Sequence, residues 1–150
     1  MTRSMKLAIW IGGIALLAAT AIDTLAVIGR YVGLPLTGSI ELMQAAVVVS
    51  GSVGLVIATV ANTHARVVLL VDRLSPGWRK VADRFSDALT LVFALSLLIG
   101  SAWIAADLWA SHEVSEVLGV PWRYLRLVVN AALLLTCGYL LVRLFRKAGE

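Results

Sequence analysis

Between Leu42 and Ala61 the sequence runs for twenty residues without one charged side chain. A helix rises ~1.5 Å per residue, so such a run covers about 30 Å, the thickness of a bilayer's hydrocarbon core. Three further stretches share this character. One extends from Leu7 to about Gly29, broken only by Asp23, and another from Ala88 to Ala106, continuing toward Trp109. The last is centred on Leu127–Val142 and begins near Trp122, which places Arg126 in its first turns. The whole chain is 60% hydrophobic and 15% charged, with a mean hydropathy of +0.91. Soluble domains are about 45–50% apolar and about 25% charged, so both departures favour lipid. The pattern predicts an all-α integral membrane protein, residues 1–150 forming one four-helix transmembrane domain. Its spans fall at about 7–29, 42–62, 86–109 and 122–145.

The formal net charge of +4 is no sign of nucleic acid, because the basic residues flank the apolar runs. Arg3 and Lys6 precede the first run. Arg66, Arg73, Arg79, Lys80 and Arg84 lie between the second and third, and Arg143, Arg146 and Lys147 follow the fourth. Only Arg30, Arg123 and Arg126 fall on the other side. Ten against three, with an even number of spans, predicts that both termini are cytoplasmic. Tyr31, Trp109, Trp122 and Tyr124 then mark the outer boundary and Trp78 the inner one, where amphipathic rings prefer to sit. The first run also has features of a secretory signal, with a basic start and Ala19-Thr20-Ala21 as a cleavage site. Its apolar stretch continues to Gly29, longer than an ordinary signal core, which favours a retained span.

Residues 61–76, ANTHARVVLLVDRLSP, are too short to span and too apolar for an ordinary loop. At 100° per residue Val67, Val68, Val71 and Leu74 share one face, with Arg66 and Arg73 opposite. This predicts an amphipathic helix lying in the cytoplasmic interface. Ser75-Pro76 reads as the start of a second short helix, with Ser as its cap and Pro at the first helical position. Trp78, Val81, Ala82 and Phe85 follow at helical spacing and lead into the third span.

The inventory for chemistry is thin. The single Cys137 forms neither an internal disulfide nor a CxxC site. His64 and His112 lie in polar connections, whereas a haem bundle places its ligands inside helices. Ser/His/Asp groupings, metal-ligand spacings and paired Gly/Pro-broken spans are missing from the sequence. Asp23 is the one acid well inside a span. It is either a proton or cation site, or a carboxylate hydrogen-bonded across a helix interface or held near the outer boundary by a partner's cation. Asn62 and Asn130 suit interhelical hydrogen bonds. Ser50, Gly51, Ser52 and Gly54, and likewise Gly100, Ser101 and Ala102, form small-residue patches that permit close helix packing.

Several ordered motifs resemble one family. Arg30-Tyr31, Leu36 and Ser39-Ile40-Glu41-Leu42 are similar to the junction between the first two spans in the small membrane subunit of tripartite ATP-independent periplasmic (TRAP) transporters. His64-Ala65-Arg66-Val67, followed by Leu70-Val71-Asp72-Arg73-Leu74-Ser75-Pro76, resembles that family's basic turn and hydrophobic segment. Leu118-Gly119-Val120-Pro121-Trp122 resembles its approach to the last span. The resemblance covers about residues 25–145; Thr63 and Val68 depart from the pattern and Asp23 lies outside it. It implies a scaffold subunit in the bacterial inner membrane, without catalysis or cofactors of its own. Its partners would be a large multi-span subunit that carries the substrate and Na+ sites, a periplasmic binding protein, and membrane lipids. The solute would be organic-acid-like.

On this reading Arg30, Tyr31 and Glu41, with Pro121, Trp122, Arg123 and Arg126, form the outer interface. His64, Arg66, Asp72, Arg73 and Trp78 form the cytoplasmic one. The outer arginines would meet either acids of a soluble partner or lipid phosphates. The rival reading is a stand-alone homodimeric exporter, with Asp23 or Glu41 coupling proton entry to cation expulsion.

Overall fold

The computed structural model describes residues 3–61, 76–111 and 113–148. Four long helices carry the apolar runs: α1 (Arg3–Val32), α2 (Ser39–Ala61), α3 (Pro76–Asp107) and α4 (Trp122–Ala148). Each contains a segment long and apolar enough to cross a membrane. The predicted interfacial helix, with Asn62, His64, Arg66, Asp72 and Arg73, lies outside the described residues.

Local chemistry sets the helix ends. Helix α1 closes with Gly33 at φ +76°, and the Leu34 N–H donates to the Gly29 carbonyl at 2.8 Å. That is the left-handed cap which satisfies carbonyls stranded at a helix terminus. Five residues after Gly33, Gly38, also at φ +76°, offers its carbonyl to the Leu42 N–H at 3.1 Å and so opens α2. Helix α3 begins at Pro76, whose fixed φ and missing N–H suit the first helical position. It then runs 32 residues unbroken to Asp107. The amphipathic stretch Trp78–Phe85 is therefore the first turns of the spanning helix, not a separate piece. Its apolar period passes into that of the span without a Gly or Pro to break it.

Extensive packing joins α1 to α2, α2 to α4, and α4 to α3. The helices form an open row, α1–α2–α4–α3, and not a closed bundle. Small residues set the first contact. Ala19 and Ala26 are buried seven residues apart, and a Cβ placed on Gly12 would stand 3.2 Å from Val53 Cγ1. Such side chains let backbones approach closely where lipid supplies no hydrophobic drive. Between α3 and α4 the buried cluster is Leu91, Ala94, Cys137 and Leu140, with Leu95 and Leu98 against it. Helix α4 is the most enclosed, with 28% of its apolar stretch buried against 11% in each of the others. Broad apolar faces stay uncovered, including Trp10, Ile14 and Leu17 on α1 and Val92, Phe93 and Trp103 on α3.

Within the chain, the small-residue patches leave open space beside them. Gly51, Ser52 and Ser101 line an open apolar groove of about 360 Å³ between α2, α3 and α4. A Cβ on Gly51 or on Gly100 would meet nothing within 4 Å.

Candidate functional site at the loop end

The α1–α2 turn and the α3–α4 loop lie at the same end of the row. The loop is built by its own hydrogen bonds. Val114 and Pro121 pair as an isolated bridge, the Ser115 N–H donates to the Val120 carbonyl at 2.9 Å, and the Gly119 N–H donates to the Ser115 carbonyl at 3.1 Å. Ser115, nearly fully buried, also accepts the Val120 N–H on its hydroxyl at 2.9 Å. This geometry turns the N–H groups of residues 116–118 outward on one side, a concave arrangement that favours an anion.

Glu41 fills it. From the first turn of α2 its two carboxylate oxygens accept the N–H groups of Val117 and Leu118, each at 2.8 Å. The Glu116 N–H and the Ser115 hydroxyl face the same carboxylate. A carboxylate in a helix's first turn also meets the positive end of the helix dipole. Beside this latch, Leu118 rests on Gly38, where a Cβ would stand 2.8 Å from Leu118 Cγ. The Gly38→Ala variant therefore meets both a left-handed backbone penalty of about 1–2 kcal/mol and displacement of Leu118. We expect a lower melting temperature in detergent, with faster hydrogen exchange at the loop amides.

The outer arginines have separate fates. Arg126 donates through Nη2 to Glu113 Oε2 at 2.5 Å, tying the start of the loop to α4. It is thus paired within the chain. Arg123 lies over the Tyr124 ring, 5.2 Å from its centroid. Arg30 donates only its Nε to the Ala26 carbonyl, at 3.4 Å, among the described residues. Tyr31 is almost wholly exposed, and Pro121 and Trp122 are half-buried at the head of α4. Between the turn and the loop opens a cleft of about 880 Å³, lined by Arg30, Leu36, Glu113, Glu116, Trp122 and Arg126 among others.

The opposite end carries a pair that sequence reasoning passed over. Arg143 Nη2 on α4 lies 3.1 Å from Asp87 Oδ1 on α3, with side chains 15% and 5% exposed. Asp87 stands just before the apolar run and Arg143 just after its own, so each reads as a boundary charge. Opposite charges at matching depths in spans joined by a short loop were the available signal. Trp78 lies exposed in the first turns of α3.

The buried polar residues differ from expectation. Asp23 is on an exposed face of α1 and makes no hydrogen bond across to α2 among the described residues. Asn130 Oδ1 is buried without a hydrogen-bond donor among those residues, and so is the Thr136 hydroxyl without a partner.

The family whose profile matches is "Tripartite ATP-independent periplasmic transporters, DctQ component", over residues 19–150. The chain belongs to this family. It is therefore a small membrane component of a TRAP transporter, and a stand-alone exporter is not favoured. The match takes in all of α2, α3 and α4, the Glu41 latch and the second half of α1. No curated protein matches the chain.

Proposed function

We propose that this TRAP component acts as a stationary scaffold, without catalysis of its own, for a large membrane subunit that carries the substrate and Na+ sites. A periplasmic binding protein delivers the solute, of organic-acid-like chemistry, and the complex imports it across the bacterial inner membrane. The lysine and arginine distribution supports cytoplasmic termini, with the Glu41 latch and its loop on the periplasmic side.

The observation that carries the reading is the open row. Three of the four spans bury only 11% of their most apolar stretch, and a groove opens between α2, α3 and α4. A self-sufficient transporter encloses its solute path within its own helices, whereas a row with two broad faces has room for another subunit. The ordered loop would fix the height at which α2 and α4 meet that partner. Co-expression of a tagged chain with a large TRAP membrane subunit from the same organism tests this. The two are expected to co-purify in mild detergent at a fixed ratio; recovery of the tagged chain alone contradicts the proposal.

A further inference from the structure

The cleft at the loop end combines three properties that together specify a ligand. Its level is interfacial: it lies where the apolar runs of α1, α2 and α4 end, beside Trp122, with Tyr31, Trp109 and Tyr124 at the same end. Such rings sit at headgroup depth. Its volume of about 880 Å³ falls within the range of small-molecule sites. Its charges are the third property. Glu41 is occupied by the loop amides, and Arg126 and Glu113 neutralise each other. Two charged groups in the lining remain without an ionic partner among the described residues, the cation of Arg30 and the anion of Glu116.

We infer that this cleft binds the headgroup of a zwitterionic phospholipid bearing a primary ammonium, its phosphate on Arg30 and its ammonium on Glu116. Leu36 and Ile40, apolar and exposed in the lining, would meet the top of the acyl chains. The guanidinium offers phosphate paired N–H donors. Glu116 accepts N–H bonds from a primary ammonium but not from a quaternary one, so the choline headgroup loses that contact. A glycerol headgroup brings the phosphate charge alone and leaves Glu116 unpaired beside it.

The test uses the full chain, extracted in mild detergent with any membrane partner it retains. Native mass spectrometry counts lipids kept from an equimolar mixture of ethanolamine, choline and glycerol phospholipids with identical acyl chains. The expected result is preferential retention of one ethanolamine lipid per chain. Arg30→Ala and Glu116→Gln are each expected to weaken it by roughly tenfold, with Glu116→Gln narrowing the ethanolamine–choline difference. Arg123→Ala, outside the cleft, should leave retention unchanged, and circular dichroism should show the same helicity in all variants. Equal retention of the three lipids, an effect of Arg123→Ala as large as that of Arg30→Ala, or displacement by millimolar inorganic phosphate would overturn the inference.

Discussion

Replacing Asp87 with alanine is expected to destabilise the α3–α4 pair by about 3 kcal/mol. Removing one partner of a buried ion pair costs about 3–5 kcal/mol, mainly because it strands the other charge. The Asp87 and Arg143 side chains are only 5% and 15% exposed, so water recovers little of that loss. Both make further interactions, which places the effect at the lower end of the range. The double variant Asp87→Leu/Arg143→Leu should regain most of the stability, since an apolar pair of similar size removes the stranded charge. Unfolding of the purified chain in mixed micelles, run as a double-mutant cycle, measures the coupling. Additive losses would mean that the two side chains do not act as a pair.

The second large effect falls on the loop and not on global stability. In Glu41→Ala the amides of Val117 and Leu118 lose their acceptor, and their hydrogen exchange should accelerate by roughly tenfold or more while amides in the middle of α4 keep their protection. Glu41→Gln keeps the shape but presents one neutral oxygen to two donors, and turns its own N–H group toward one of them. It should lie much closer to alanine than to the parent. The Arg126–Glu113 pair and the Val114–Pro121 bridge remain in both variants, so the loop loosens at residues 115–119 and keeps its base. An unchanged exchange rate at Val117 and Leu118 would show that the loop holds itself without Glu41.

The spans were legible because the bilayer leaves the sequence few choices. A charge-free run such as 42–61 must form a helix, since only helices and closed barrels satisfy every backbone group in lipid. Glu41 and Arg30 stood out as polar residues at a span boundary for the same reason. Their partners did not. Glu41 is held by main-chain N–H groups 76 and 77 residues away, and a backbone amide has no side-chain signature. The Asp87–Arg143 pair left only an indirect signal, opposite charges at matching depths in consecutive spans, and the contact itself depends on how those spans pack. The order α1–α2–α4–α3 was hidden for that reason too: a helix greasy all round does not announce which side meets protein. The continuity of α3, in contrast, could have been read. Trp78, Val81, Ala82 and Phe85 keep a helical period that runs into Leu89 and Val92 with no breaker between.

The central claim is that this chain works as one part of a multi-protein importer. It is tested most directly by solute uptake into sealed vesicles that contain the chain, a large TRAP membrane subunit from the same organism and the matching binding protein. Uptake should require all three, vanish when this chain is omitted, and persist in Asp23→Asn, whose carboxylate faces away from the row. Asp23-dependent efflux by the chain alone, or full uptake without it, would contradict the account.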